Sequence, residues 1–149
     1  MNNVLVVGGA GYIGGFLTDH LSRNDYNVAV YDNLLFEDRY LKNCEFIYGD
    51  IRDTKKLSKI VDNYDCVVWL AGLVGDGACA VNQRLTKNLN VDTVKWLVDN
   101  YKGKIVFPST CSVYGMNNDL IEEDATPNPL SLYAATKLQA EEYVLNNAK

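Results

Sequence analysis

A single histidine, His20, and four scattered cysteines with no CxxC spacing leave little from which to build a zinc centre, so no metal site is expected. The cysteines, Cys44, Cys66, Cys79 and Cys111, read instead as the reduced thiols of a cytoplasmic protein. Positive charge is in deficit too, since 14 Lys and Arg stand against 19 Asp and Glu for a net charge of −5. Nucleic acid and acidic membrane are bound through basic patches that neutralise phosphates, so neither is an expected partner. The longest apolar run, CVVWLAGLVG at residues 66–75, falls well short of the roughly 20 residues a membrane-spanning helix needs. The amino-terminal MNNVLVVGGAG has no positive n-region and no cleavage-type ending, which argues against a secretory leader. No internal repeat, low-complexity tract or flexible linker interrupts the chain.

What remains is ordinary globular material: 149 residues, 48% hydrophobic and 22% charged. One domain of this size buries roughly 68–70% of its unfolded surface. Short β-branched runs alternate with helical patterns. VLVV (4–7) is apolar throughout, as a strand covered on both faces must be. Ile13, Leu17 and Leu21 then recur at four-residue spacing and predict a helix with one buried stripe from Tyr12 to about Arg23. NVAVYD and EFIYGD predict the second and third strands, separated from DCVVWLAG, the fourth, by a helical stretch at 54–62 with Leu57, Ile60 and Val61 inward. Val81, Leu85, Leu89, Val94, Leu97, Val98 and Tyr101 mark a long helix ending near Asn100. KIVFPS is the fifth strand, 116–130 a loop, and Ser131 to Asn147 a last helix. This alternation predicts a doubly wound parallel sheet of Rossmann type, about five strands in the order 3-2-1-4-5.

The VVGGAGYIGG segment sets Gly8, Gly11 and Gly14 between the first strand and first helix. The first glycine permits the tight turn, the second lets backbone approach a pyrophosphate, and the third allows close packing. The helix start offers unpaired N–H groups to phosphate oxygens. Asp32 closes the second strand eighteen residues past Gly14, where a carboxylate accepts from the adenosine ribose hydroxyls and repels a 2′-phosphate. NAD is therefore the expected cofactor, rather than NADP. Asp50, in YGDIRD, has two readings: acceptor for the adenine amino group, or an Asx turn, with Asp53 the better helix cap.

These pieces, with YDNL, LAG, NLNVDT, STCSVYG and YAATK following in order, resemble the extended short-chain dehydrogenase/reductase family, the NAD-dependent sugar-nucleotide epimerases and dehydratases. The resemblance implies that Gly8, Gly11, Tyr12, Ile13 and Gly14, Asp32 and Asn33, and Asp50 and Ile51 line a dinucleotide. It also implies that Leu70, Ala71 and Gly72 lie along its nicotinamide side, and that Asn90 is the asparagine of the family's long helix. Thr110, Tyr133 and Lys137 would be the catalytic hydroxyl, the proton-transfer tyrosine and its lysine partner. The residues themselves agree, for Tyr133 and Lys137 at i and i+4 share a helix face. A free phenol, with a pKa of about 10, is too weakly acidic to act as a base near neutrality, and an adjacent ammonium favours the phenolate.

Four departures sharpen the expectation. Cys111 and Ser112 stand after Thr110 where family dehydratases carry an acidic pair, which favours epimerisation or simple oxidation and reduction of a nucleoside-diphosphate sugar. Cys111 then reads either as an acid/base group or as a small packed hydrophobe. Trp69 replaces a common histidine, and Asp76, Cys79 and Asn82 are either substrate-facing or a loop capping the long helix. Family members also continue past the YxxxK helix into further strands and a substrate domain. The chain therefore reads as a cofactor-binding portion whose fifth strand keeps an open edge, suited to pairing in a homo-oligomer. The competing readings are a truncated, inert NAD-binding module and a sugar-nucleotide dehydratase or reductase.

Overall fold

The computed structural model describes residues 2–118 and 120–148. Five parallel strands, β1 (Asn3–Val7), β2 (Asn27–Asp32), β3 (Glu45–Tyr48), β4 (Cys66–Trp69) and β5 (Lys104–Val106), form one sheet in the order β3-β2-β1-β4-β5. Its strand order is that expected from the alternation of elements. β1 is central because its VLVV run can be buried from above and below, and Leu5 sits in register with Ala29 on one side and Val67 on the other.

Alternate residues feed two cores, as the two-residue period of a strand requires. Leu5, Val7, Ala29, Tyr31, Val67 and Trp69 pack against Leu57, Val61, Val94, Leu97 and Ala140. Val4, Val6, Val28, Val30 and Val68 face Leu17 and Leu21 of α1 (Tyr12–Arg23). On the first face lie α2 (Thr54–Leu57), α5 (Thr93–Asn100) and α6 (Leu132–Asn147).

Three expectations change. Ile13 is 63% exposed, because it belongs to the first turn of α1 at the mouth of a cleft; the buried stripe is Gly14, Leu17, Thr18 and Leu21. Residues 54–62 are one turn of α-helix followed by a 3-10 turn at Val61–Asn63, although Leu57 and Val61 do point inward. The long helix is broken into α3 (Asp76–Val81), α4 (Gln83–Lys87), a π turn (Asn88–Asp92) and α5. Val81 ends α3 and is 87% exposed, and Asn82 interrupts with an extended backbone while its side chain caps α4 through Leu85 N at 3.0 Å. Among the described residues, β5 has β4 as its one partner.

Candidate active site

A cleft of about 700 Å³ opens at the carboxyl ends of the strands. There the backbone leaves β1 through Gly8, whose φ of +82° is the left-handed region open to glycine. A Cβ on Gly8 would lie 2.5 Å from Ala71 N, so the turn also presses against the end of β4. Gly8 N donates to Tyr31 O at 2.8 Å, while Leu70 N and Ala71 N donate to Val7 O at 2.8 and 2.9 Å. The turn is thus fastened from both sides. Gly11 caps α1 with no side-chain hydrogen bond, and a Cβ there would meet nothing nearer than 3.6 Å. The helix start is left clear for an anion.

Asp32 joins this turn to β2. Its Oδ2 accepts from Ala10 N at 3.1 Å and its Oδ1 from Leu34 N at 2.8 Å, an Asx turn that holds Leu34 at a φ of +55°. Asn33 adds a second such turn through Leu35 N at 3.2 Å. Asp50 faces the same cleft, but Arg52 engages it from three nitrogens: its backbone N at 2.8 Å, Nε at 2.9 Å and a terminal guanidinium nitrogen at 2.5 Å. Arg52, chiefly through its side-chain hydrogen bonds, holds the Asp50 carboxyl below the usual range. Asp50 thus forms an Asx turn through Arg52 N while still bordering the cleft, and Asp53 caps α2 through Lys56 N at 3.0 Å.

Every residue expected to line a dinucleotide borders this cleft, including Tyr12, Ile13, Ile51, Leu70, Ala71 and Gly72. Asn90 borders it too, yet its amide is occupied. Oδ1 accepts from Leu73 N at 2.7 Å, and Nδ2 donates to Leu73 O at 2.9 Å and approaches Thr136 Oγ1 at 3.3 Å. Asn90 lies within the π turn, a distortion that frees helical backbone from its usual register. It ties the β4–α3 loop to α6, next to Lys137.

Tyr133 and Lys137 line the far wall together, with Phe107, Pro108 and Ser109 at the end of β5. Lys137 Nζ donates to Pro108 O at 2.6 Å and lies 3.8 Å from the centre of the Phe107 ring. Burial pushes the ammonium down to about 8, with Glu141 acting in the opposite direction. Thr110 stands one residue past the cleft wall, where its hydroxyl accepts from Ser112 N at 3.3 Å and approaches Ser112 Oγ at 3.2 Å.

Other candidates fall outside the cleft. Asp76 is exposed, Asn82 is the α4 cap, and Cys79 is buried with its thiol on Leu73 O at 3.4 Å. Cys111 is exposed rather than packed: it opens a 3-10 turn (Cys111–Tyr114) whose buried side chain is Val113. Sequence reasoning missed Arg52 as the partner of Asp50 and Glu141 as a neighbour of Lys137; YGDIRD and the i+4 spacing after Lys137 carried those signals. Trp69, the departure from histidine, is fully buried beside the cleft, and its indole N–H has no acceptor among the described residues.

A glycine turn at a clear helix start, an acidic residue ending β2 and a tyrosine–lysine pair across the cleft define a dinucleotide-binding α/β domain with candidate proton-transfer chemistry. Residues 4–149 match the NAD dependent epimerase/dehydratase family, and the chain belongs to it. A UDP-glucose 4-epimerase of Rhizobium meliloti is 31% identical over 144 residues, covering 91% of this chain and 44% of that protein. The solved UDP-glucose 4-epimerase of Brucella ovis in complex with NAD is similar with a TM-score of 0.91 at 32% identity, over 98% of this chain and 47% of that one. A UDP-glucuronic acid 4-epimerase from Bacillus cereus, solved with UDP-glucuronic acid and NAD, has a TM-score of 0.83 at 29% identity, over 97% of this chain and 53% of that one. The chain spans less than half the length of the curated relatives it matches.

Proposed function

We propose that this chain is the cofactor-binding and proton-transferring portion of a sugar-nucleotide epimerase that uses NAD. The observation carrying the reading is the convergence of the glycine turn, Asp32, Tyr133 and Lys137 on one cleft. The residues fit the dinucleotide: Gly11 leaves room for backbone to meet a pyrophosphate, and Asp32 offers acceptor oxygens at the ribose position while disfavouring a 2′-phosphate. Bound NAD would supply the capacity to take and return a hydride.

The chain's own residues then handle position and protons. Tyr133 is the group proposed to receive the proton of a sugar hydroxyl and later return it. Lys137, one helical turn away on the same face of α6, is proposed to place positive charge on the wall it shares with Tyr133. Thr110 is proposed to donate to the reacting oxygen, which requires its hydroxyl to leave Ser112 when substrate arrives. Cys111 and Ser112 supply no carboxyl group to protonate a leaving hydroxyl, which favours epimerisation over dehydration.

The test is a calorimetric titration with NAD and NADP, followed by incubation with NAD and UDP-sugars while epimer formation is watched by chromatography. NAD should bind more tightly than NADP; the reverse order removes the Asp32 assignment. Tyr133→Phe should reduce epimerisation by roughly 10²–10⁴-fold with NAD affinity retained. Should this chain bind NAD without turnover, a version extended to the length of the relatives is the proper substrate-level test. Undiminished turnover by Tyr133→Phe would remove the proposed base.

A further inference from the structure

The end of β5 grips α6 at three consecutive residues. The Phe107 ring lies beneath Lys137 Nζ, the Pro108 carbonyl accepts from that nitrogen, and Ser109 Oγ donates to Glu141 Oε2. Glu141 stands one helical turn beyond Lys137, as Lys137 stands one turn beyond Tyr133, so the three side chains follow one face of α6. Nothing in the proposed chemistry yet uses Glu141.

Its chemistry matters because Lys137 is poorly solvated. An ammonium pushed down to about 8 is close to losing its proton in the neutral range, and burial is the cause. A carboxylate nearby opposes that loss, provided it is kept from swinging into solvent. Ser109 supplies the restraint through its hydroxyl. The surroundings leave Glu141 alone in this role. Phe107, Pro108 and Ser109 are uncharged, and Asn90 of the π turn is a neutral amide. Asp99 and Lys95 of α5 are engaged at Tyr143, further along α6. On the other elements packed against α6, Asp76, Arg84, Lys87, Asp92 and Cys111 are exposed to solvent, and the Tyr114 hydroxyl donates to Glu123 O at 2.9 Å.

We propose that Glu141 is a positioning residue for Lys137: with its carboxylate anchored by Ser109, it keeps the ammonium charged and fixed at the end of β5, beside Tyr133. The inference rests on the proposed Tyr133–Lys137 pair, but its test requires neither cofactor nor turnover.

In protein labelled with ¹³C-lysine, the Lys137 Cε resonance is identified by its loss in Lys137→Met and followed from pH 6 to 11. Glu141→Gln should lower the Lys137 midpoint by about half to one unit, since a partly screened unit charge is removed. Ser109→Ala should lower it less, and Ser109→Thr, which keeps a hydroxyl, should restore it. A Glu141 that merely docks α6 would lower the melting temperature and leave the midpoint unmoved, and that result overturns the proposal. An upward shift does so as well. If Glu141→Gln does not fold, the Ser109→Ala and Ser109→Thr pair decides the question by the same midpoint. Calorimetry with NAD on the native chain reads the underlying functional assignment independently.

Discussion

Lys137 is wedged between the Phe107 ring and the Pro108 carbonyl, and desolvation there favours its neutral form. The linkage to stability follows from the direction of this shift. Between about 8, its folded value, and the ordinary lysine value of about 10.4, the unfolded chain binds more protons than the folded one. Stability from this group is therefore fully present above the unfolded value and lost as pH falls through about 8. Compared with Lys137→Met, the native protein should gain stability as pH rises across that window, measured by urea unfolding at pH 7 and pH 10. A constant difference would mean that the ammonium is well solvated. The YxxxK pattern identified the side chain, but its surroundings were hidden, because Phe107 and Pro108 lie some thirty residues away in sequence. Asp32 was legible, since a strand end fixes where its carboxylate must sit. Asp50 and Asn90 were legible as positions along the cleft, whereas their satisfaction by Arg52 and Leu73 depended on local geometry that spacing does not encode.

At the scale of elements, the glycine turn was readable because glycine at a strand end has a steric reason to be there. Gly8→Ala should destabilise the chain by roughly 1–3 kcal/mol and weaken NAD binding, since both the positive φ and the contact with Ala71 forbid a Cβ. Thermal melts together with calorimetry would check both effects. The helices were less legible. Apolar spacing from Val81 to Tyr101 continues through Asn82, so periodicity alone runs one helix across a residue that in fact stops α3 and caps α4. Periodicity cannot announce a π turn either, because one extra residue per turn only shifts the stripe. Ile13 was misplaced for a related reason: spacing assigns a helix face, and the first turn of α1 overhangs the cleft instead of the sheet.

For the molecule as a whole, strand order was inferable because right-handed crossovers and a central apolar strand leave few parallel arrangements. The cleft lies across that sheet and draws on all five strand ends or the loops that follow them, so a ligand filling it should stabilise the entire domain. NAD at about 100 times its dissociation constant should add roughly 2.7 kcal/mol to the unfolding free energy. NADP at the same concentration should add less. Differential scanning calorimetry at several NAD concentrations would show the melting temperature climbing with ligand, and a flat response would argue that the cleft does not take NAD.

The double fastening of the glycine turn also orders events in time. β1 pairs with partners 24 positions away on one side, Asn3 with Asn27, and 62 positions away on the other, Val4 with Cys66. The turn beyond it leans on Tyr31 from the nearer strand and on Ala71 from the farther. During synthesis the glycines leave the ribosome before β4 does, yet their cradle takes shape only when β4 closes the longer loop, a slow step in a non-local topology. The glycine cradle would then be in place once β4 has docked, ahead of β5 at the sheet edge, and a nascent chain ending before β4 would carry the glycine motif without the grip.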